Sequence, residues 1–533
     1  MLLAPSLFAN TLLQQRLYKL LAGLLLLALA LVFHLPSLTW LPRGIHEWAQ
    51  ADRLALALSF YDHGMNFFRP QTFNISSIDG VVGVEFPLVP YVAALAAKLT
   101  GRDTIVFWFR GLTVGATVWG CYYLFRLVFE RTQQFVAALL PGVFLATSPV
   151  FAYYAGNFLP DPVGVAITLV AFYYLMQYQQ HAAYWHLGLA LGLFTLASLV
   201  KTSSAIYLVS AIGIVLLWSY LRPSVLTVRQ KVGFLGMCAI SVAAIGGYIL
   251  FNRHLNETYG ATLFLAKAMP FENQQQYDMV RLRIEDGWWY EYFTKAHYIV
   301  LQLSAVVCLI SLPRILRHDW FWAAQLLLAA VGGWLFFRLM GLQFADHDYY
   351  VLAPYWPVLT LLVALAVVQA CGVQVPSLRW NGVLQGARYV AVGVALVALV
   401  GLALQHHRRR LNDPYRPFSD YYTYRWMQGG AQALSAARVP DEATLLVVGE
   451  DAPNLSLVYF NRRGIVWNLN VAQTNTAQIL DKMTSSGLDY LLMRQEVYQQ
   501  LAQTHPDLLR SFTTKINNQR YAVLVRNNAI KHW

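Results

Sequence analysis

Long apolar segments recur along the chain and are separated by short polar stretches. Each is close to the length of about 18 residues or more that a helix needs to cross a bilayer. The eleven segments are residues 17–34, 104–128, 134–150, 160–178, 184–200, 203–221, 232–251, 296–313, 319–340, 348–371 and 386–405. A shorter run, Pro87–Leu99, has the length of a re-entrant helix and marks a region where further crossings would raise the count to thirteen. The pattern predicts a polytopic α-helical membrane protein with about 11 to 13 transmembrane helices.

The pattern changes after Arg410, where short apolar runs typical of strands alternate with helical patterns. The predicted strands are Ala443–Val448, Gly464–Trp467, Leu488–Met493 and Arg520–Val525, and the predicted helices are Pro453–Asn461, Thr476–Ser486 and Gln495–Ser511. This alternation predicts a small C-terminal α/β domain. We therefore divide the chain into a transmembrane domain, residues 1–410, and an α/β domain, residues 411–533.

The composition narrows the class of protein. Of the 533 residues, 57% are hydrophobic and 12% are charged, well outside the range of soluble globular domains. The formal net charge is +12, but lysine and arginine are scattered at helix ends rather than gathered into a stripe, so no nucleic-acid partner is expected. The four cysteines lie in or beside apolar segments and indicate no disulfide framework. Membrane lipids are the first partners to expect.

The basic residues predict the orientation in the membrane. Residues 1–18 contain no acidic residue and precede an apolar run without an obvious cleavage site, which indicates a retained signal anchor with a cytoplasmic N-terminus. Short basic loops then alternate as the positive-inside rule expects, although the tract His406–Arg410 falls on the opposite side. The long loops 35–103 and 252–295 and the α/β domain accordingly face outward. A site assembled from these loops would face outward too.

Polar side chains cluster in the first of these loops, soon after the first apolar segment. The stretch His46–Asp52 carries two carboxylates, an imidazole, an amide and an indole just before a helical-looking run. Such a cluster can hold a polar substrate beside a lipid. The alternative is a solvated loop in which Asp52 stabilises the N-terminus of the following helix.

Ionisable residues inside or next to membrane segments are costly and point to function. Asp161 opens the fourth segment, where it is either a functional acid or a simple cap before Pro162. Lys201 stands between two long apolar runs and would suit a phosphate, unless its stem only carries the charge to the membrane surface. Arg110 lies well inside the second segment and needs a partner such as a carboxylate or a lipid phosphate.

Another polar group, Asp346-His347-Asp348-Tyr349-Tyr350, precedes the tenth segment. An Asp-x-Asp pair can hold a divalent ion, but a lone match of this kind is more often a cap or a solvated turn. We keep Asp346 and Asp348 as candidate metal ligands and expect no other cofactor. The loop 252–295 adds Trp288 and Trp289, which suit either the membrane interface or the covering of a sugar or lipid.

These motifs, taken in order, resemble those of bacterial membrane glycosyltransferases of the C-type fold, the family related to protein O-mannosyltransferases and to the aminoarabinose transferases that modify lipid A. The matching elements are the acidic first loop Glu47–Asp52, the turn Glu85–Leu88, the second-loop motif Leu159–Pro162, Lys201 after the fifth helix, and His347–Tyr350 before a late helix. The chain carries Phe86 where the aminoarabinose transferases have a lysine. The resemblance extends over most of residues 17–410.

The resemblance implies transfer of a sugar from a polyprenyl-phosphate donor to a hydroxyl of a lipid, glycan or protein acceptor, at the outer face of a bacterial inner membrane. A base must then reach the acceptor hydroxyl, and cations must stabilise the departing phosphate. The implied roles are catalytic base for Asp52 with Glu47 as the alternative, donor-phosphate contact for Lys201, Arg110, His347 and Tyr350, and substrate orientation for Asp161, His46 and Gln50.

Two other classes of protein remain open. A lipid-linked-sugar transporter or flippase would also place charges inside a helical bundle, but such folds often carry internal repeats, and this sequence shows no clear repeat. A non-catalytic scaffold that displays the α/β domain would leave the intramembrane charges without a purpose. The clustering of polar residues on one side of the membrane favours the transferase.

Overall fold

The structure is a computed structural model that describes residues 4–264, 267–372, 378–412, 424–468 and 476–527. The chain forms two compact units. The first comprises Met1–Leu38, Arg110–Ile249 and Ala266–Asp413, and the second comprises Thr39–Phe109, Leu250–Leu265 and Pro414–Trp533. The first long loop therefore groups with the C-terminal segment, whereas the predicted division at residue 410 assigned it to the transmembrane domain.

The N-terminal four-fifths of the chain is helical. In chain order, the helices are α1 (Ala4–His34), α2 (Glu47–Asp62), α3 (Leu88–Thr100), α4 (Ile105–Thr132), α5 (Phe135–Thr147), α6 (Pro149–Ala155), α7 (Asp161–His181), α8 (Tyr184–Val200), α9 (Ala205–Leu221), α10 (Val228–Tyr259), α11 (Gln274–Arg283), α12 (Trp289–Tyr292), α13 (Lys295–Ile310), α14 (Leu312–His318), α15 (Trp320–Met340), α16 (Leu352–Gly372) and α17 (Leu378–Asn412).

All eleven predicted apolar segments are helical, so the helical membrane fold is confirmed. Among the described helices, seven are long and apolar enough to cross a membrane, or up to nine if each of two bent pairs is one span. One bend, of 74°, lies between α5 and α6, where Ser148 is extended and Pro149 follows it, because a residue before proline avoids helical geometry. The count of 11 to 13 crossings remains a prediction.

A buried ionic cluster in the first unit contains Arg410, the last residue of the basic tract that conflicted with the predicted orientation. The guanidinium of Arg410, in the last turn of α17, donates to Glu291 Oε2 at 2.9 Å and also to Asp348. Tyr154 donates its hydroxyl to the other oxygen of Asp348 at 2.6 Å. Arg410 is thus compensated by two carboxylates and does not act as an uncompensated charge outside the membrane.

We expect Arg410→Met to destabilise the folded protein by about 3–5 kcal/mol, because it leaves two buried carboxylates without their cation. The exposed Arg408, two residues earlier on the same helix, supplies the matched control, and Arg408→Met should change stability by less than about 0.5 kcal/mol. Thermal or denaturant unfolding in detergent measures both. Equal unfolding midpoints for the two variants would contradict the proposed weight of the cluster.

The C-terminal segment forms a mixed sheet with short helices. Its strands are β1 (Leu445–Val448), β2 (Gly464–Trp467), β3 (Tyr490–Arg494), β4 (Phe512–Asn517) and β5 (Tyr521–Arg526), and its helices are α18 (Gly430–Ala436), α19 (Leu455–Phe460), α20 (Thr476–Ser485), α21 (Gln495–Thr504) and α22 (Pro506–Arg510). The sheet order is β2-β1-β3-β5-β4. β1 is parallel to β2 and β3, whereas β5 is antiparallel to β3 and β4.

The predicted α/β pattern is confirmed for four strands and for two of the three helices. The third, Gln495–Ser511, is divided into α21 and α22, because Pro506 begins a new helix. The strand β4 was missed because its central residues Thr513–Lys515 are polar and exposed at the edge of the sheet, so they lack the apolar alternation of a half-buried strand. The inner strand β1 is buried along its whole length. Apolar side chains of β1, β3 and β5 pack on α20 and α21 in one core.

Candidate active site

The polar cluster of the first loop lies at the N-terminus of α2. His46 adopts the left-handed conformation, with φ of 53°, directly before the helix. The side-chain amide of Gln50 donates to the carbonyls of Arg43 and Ile45 at 3.1 and 2.8 Å and is fully buried. Gln50 therefore holds the turn before α2, and its role in orienting substrate stays a prediction.

Asp52, one turn into α2, is the carboxylate whose surroundings best suit a base. Its side chain is buried, and its Oδ1 accepts a hydrogen bond from Asn454 Nδ2 at 2.8 Å. Burial raises the pKa of Asp52 from 3.8 to about 6, against the opposing effects of Arg53 and of the Asn454 hydrogen bond. At neutral pH the group is mostly ionised, yet basic enough to accept a proton.

Glu47, the first residue of α2, behaves differently. Burial, followed by the nearby carboxylate of Glu450, raises the pKa of Glu47 from 4.5 to about 9. Glu47 is therefore protonated at neutral pH and cannot accept a proton there. Of the two carboxyl groups left open as the base, the electrostatic environment favours Asp52, because its carboxylate form is the one populated at neutral pH.

Three residues near these carboxyl groups were missed as site residues by sequence reasoning. Asn454 and Glu450 precede α19, and Asn454 stands 402 residues from Asp52 along the chain, so no local pattern connects them. Glu85 had been noted only as part of a turn. It accepts two hydrogen bonds from Arg53, at 2.8 and 3.1 Å, and its charge raises the pKa of Asp52.

The first compact unit brings together a second set of predicted residues around Lys201, which directly follows α8. Its Nζ lies 3.1 Å from Asp161 Oδ1 and 5.6 Å from the ring centroids of both Tyr349 and Tyr350, within the range of a cation–π interaction. A Cβ on Gly164 would lie 3.1 Å from the Lys201 Cβ, so a glycine in the first turn of α7 permits this close approach.

Asp161 is the first residue of α7 rather than its cap. Pro160 holds the cap position, and Pro162 follows Asp161 in the first turn. The carboxylate is almost fully buried and so depends on the ammonium of Lys201. Asp161 is thus a first-turn acid at the positive end of a helix and the partner of the lysine. Its role in orienting substrate stays a prediction.

Arg110 contacts the turn that precedes α7. Its Nη1 donates to the carbonyl of Gly156, and its guanidinium lies 4.4 Å from the ring centroid of Phe158. A buried guanidinium needs partners for its charge, and those of Arg110 include a backbone carbonyl and an aromatic face. Contact with a donor phosphate by Arg110 stays a prediction.

Comparison with known proteins identifies the fold. Residues 85–250 match the family described as dolichyl-phosphate-mannose-protein mannosyltransferase. The chain is similar to ArnT from Cupriavidus metallidurans bound to undecaprenyl phosphate, with 14% identity, coverage of 94% of this chain and 97% of that chain, and a TM-score of 0.60. The chain has the C-type glycosyltransferase fold. The resemblance predicted from the motifs is confirmed at this level.

A second solved structure with the C-type glycosyltransferase fold is similar as well. It is the Archaeoglobus fulgidus oligosaccharyltransferase in its apo form, with 12% identity, coverage of 93% of this chain and 72% of that chain, and a TM-score of 0.52. No curated protein sequence matches the chain. Identities this low carry the fold but not the substrate.

Within the C-type fold, the two candidate metal ligands of the segment Asp346–Tyr350 have different surroundings. Asp346 is exposed whereas Asp348 is fully buried, and both oxygens of Asp348 accept hydrogen bonds, one from Tyr154 and one from Arg410. Among the described residues, no group of three or more His, Cys, Asp or Glu side chains could hold a metal ion. The Asp-x-Asp spacing reflects a charge that anchors this turn.

The aromatic members of this region take two positions. The His347 ring lies 5.2 Å from that of Tyr350, and its Nδ1 is 3.1 Å from the carbonyl of Gln343. Trp288 is buried and donates its indole N–H to the Ala345 carbonyl at 2.8 Å, so it belongs to the core rather than to an exposed aromatic belt. His347 and Tyr350 thus share one aromatic cluster with Tyr349 beside Lys201.

Proposed function

We propose that the protein is a membrane glycosyltransferase that moves a sugar from a polyprenyl-phosphate donor to an acceptor hydroxyl. Asp52 carries the proposal, because a buried carboxylate with a pKa of about 6 is ionised at neutral pH and still able to take a proton. Membership of the C-type fold supports it. Under this proposal the acceptor is a lipid, a glycan or a protein.

In the proposed reaction, the oxygen of the acceptor hydroxyl attacks the anomeric carbon of the sugar. Asp52 takes the proton of that hydroxyl at the same time. The bond from that carbon to the phosphate oxygen breaks, and polyprenyl phosphate leaves with the electron pair. Negative charge develops on the departing phosphate, so a cation placed there lowers the barrier. We assign Lys201 and Arg110 to this task, with His347 and Tyr350 in support.

A polyprenyl phosphate is the donor lipid that the comparisons favour, since the similar ArnT structure holds undecaprenyl phosphate. The pair Asp161–Lys201 is consistent with this assignment. Its ammonium is bonded to a carboxylate and flanked by two tyrosine rings, an arrangement in which an incoming phosphate can share the cation. Asp161 would then orient Lys201 for the phosphate, and His46 would stay a candidate for orienting substrate.

Binding of undecaprenyl phosphate to the purified protein tests the donor class. Native mass spectrometry with undecaprenyl phosphate and with neutral undecaprenol separates recognition of the phosphate from insertion of the tail. We expect at least tenfold tighter binding of the phosphate. Equal binding of the two lipids would reject a donor-phosphate site.

Transfer itself is tested with undecaprenyl-phosphate-linked sugars and an extract of bacterial envelope lipids and glycans, by release of undecaprenyl phosphate. A flippase would move the intact donor across a vesicle bilayer without releasing it. That result, with no cleavage for any donor, would replace the transferase with the transporter.

We further propose that the C-terminal segment faces the outside of a bacterial inner membrane. The exposed Glu496 on α21 and the exposed Ser224 between α9 and α10 provide matched positions for single cysteines. In spheroplasts, an impermeant maleimide should label Glu496→Cys without lysis and Ser224→Cys only after lysis, since the short basic loops are predicted to be cytoplasmic. The reverse labelling would overturn the orientation.

A further inference from the structure

Within the described residues, the side chain of Asn454 connects the α/β segment to Asp52. Its Nδ2 donates to Asp52 Oδ1 at 2.8 Å. Its Oδ1 accepts the backbone N–H of Asn74 at 2.9 Å. Both ends of the amide are therefore engaged, one with a donor and one with an acceptor, so its orientation is fixed and its N–H points at the carboxylate. Asn454 is itself fully buried.

Asn454 makes these contacts instead of capping its own helix. It occupies the cap position of α19, yet its side chain makes no hydrogen bond to that helix, although asparagine there usually accepts a backbone N–H of the first turn. The cap interaction is given up for a contact with a residue on α2. A purely local structural role therefore does not explain this asparagine.

The segment 73–75, whose Asn74 N–H is accepted by Asn454, is hydrogen-bonded to the sheet. Ile75 donates its N–H to the Gly464 carbonyl at 2.8 Å, and the Gly464 N–H donates to the Phe73 carbonyl at 3.0 Å, which extends the sheet beyond β2. The side chain of Asn74 donates to the Pro453 carbonyl at 2.9 Å. A Cβ on Gly464 would collide with the backbone of Leu445, so only glycine permits this close approach of β2 to β1.

We propose that Asn454 is a positioning residue that holds the carboxylate of Asp52 in one orientation and favours its ionised form for catalysis. The inference rests on the proposed function of Asp52 as the base and extends that function to the α/β segment, which then completes the site. A hydrogen bond donated to a carboxylate stabilises the charged form. Removing the donor should therefore make Asp52 harder to ionise.

The charged groups that act on Asp52 lie in the same compact unit. Arg53 and Glu85 act on Asp52 in opposite senses and pair with each other. The helices packed against α2 carry Lys98, over the ring of Tyr61, and Tyr459, which donates to the Pro42 carbonyl at 2.8 Å. Tyr91 on α3 packs against the ring of Phe60.

The loop before α19 carries two further acidic residues, Glu450 and Asp451, close to Asn454 in the chain. Glu450 accepts a hydrogen bond from Arg494 at 3.0 Å and acts on Glu47 rather than on Asp52. Asp451 donates its backbone N–H to the Glu450 carboxylate at 3.1 Å. Asn454 is thus the uncharged group through which this loop bonds to Asp52.

The test follows the pH dependence of sugar transfer. In the parent, transfer should fall as the pH drops below about 6, the pKa of Asp52. Asn454→Ala should move this acid limb upward by about one pH unit, the scale of one hydrogen bond to a carboxylate. Asn454→Asp keeps the bond to the Asn74 N–H but places a second carboxyl beside Asp52, so its limb should move further in the same direction.

Two controls separate this role from a general loss of packing. Asn74→Ala removes a buried amide from the same contact region but keeps the backbone N–H that Asn454 accepts, so the pH of its limb should match the parent. Glu85→Gln removes the negative charge that raises the pKa of Asp52, so its limb should move downward. Thermal unfolding of each full-length variant reports on folding.

Labelling of Asp52 by a hydrophobic carbodiimide, which reacts with protonated carboxyls, gives a second readout that needs no substrate. Tandem mass spectrometry distinguishes Asp52 from Glu47. The midpoint of labelling should rise by about one pH unit in Asn454→Ala. The proposal would be overturned if both Asn454 variants kept the parent's acid limb of sugar transfer and the parent's midpoint of Asp52 labelling. A shifted labelling midpoint in a protein that transfers no sugar would instead reject the transferase and leave the Asn454 contact standing.

Discussion

Asp52→Asn should lower turnover by on the order of a hundredfold or more, the usual scale for the loss of a general base. An asparagine keeps the size of the side chain and can still accept the hydrogen bond from Asn454 that Asp52 Oδ1 accepts at 2.8 Å. It cannot take a proton. Steady-state transfer from undecaprenyl-phosphate-linked sugar measures the effect, with lipid binding expected to remain near parental.

Glu47→Gln is the matched control for this substitution. With a pKa of about 9, Glu47 already carries a proton at neutral pH, and glutamine reproduces that neutral form, so turnover should fall much less. A dead Gln variant beside an active Asn variant would make Glu47 the base. Activity in both variants would remove the base from α2 altogether.

The Asp52→Asn substitution should also change how stability depends on pH. The pKa of Asp52 in the folded protein is about 6 against an ordinary value of 3.8, so the folded state holds the proton more tightly than the unfolded state. The contribution of Asp52 to stability is then greatest at low pH and falls as the pH rises from about 4 to 6, by on the order of 3 kcal/mol. Asp52→Asn lacks this loss. Its unfolding midpoint at pH 7 should be no lower than that of the parent.

Lys201→Met should have two large effects that a double variant can separate. The substitution leaves the buried carboxylate of Asp161 without the cation that lies 3.1 Å away, at a cost of about 3–5 kcal/mol. It also removes the charge proposed to bind the donor phosphate. The single variant alone would therefore confuse loss of folding with loss of function.

The variant Lys201→Met with Asp161→Asn removes both charges and should recover most of the lost stability, because no uncompensated charge stays buried. Binding of undecaprenyl phosphate should remain at least tenfold weaker than in the parent. Thermal unfolding in detergent and native mass spectrometry provide the two readouts. Parental lipid binding by the double variant would show that Lys201 serves only the fold.

The basic tract at the end of α17 illustrates how tertiary contacts modify a sequence rule. The positive-inside rule counts charges in loops, and His406–Arg410 violates it. For Arg410, one of the tract's three arginines, the cause is a tertiary contact, since Arg410 is bonded to Glu291 and Asp348 inside the first unit. Glu291 and Asp348 lie 119 and 62 residues from Arg410 along the chain. A count of charges in each loop cannot detect such contacts.

The sequence by itself determined the elements, because their signals are local. Apolar length located the eleven helical segments, and alternation of short apolar runs located β1, β2, β3 and β5. The edge strand β4 was not predicted, because an exposed edge strand needs no apolar periodicity. Motif order was enough to indicate the C-type fold, since each motif lies within a few residues of chain.

Only the tertiary structure decided the chemistry of the candidate site. Glu47 and Asp52 stand five positions apart on one helix and look alike in sequence, but burial and the approach of Glu450 keep the first protonated, while Asn454 helps to keep the second ionised. Likewise, Lys201 and Asp161 became a pair only when α7 approached the end of α8. Protonation states follow from desolvation and from neighbours distant in the chain, and neither is written in a local pattern.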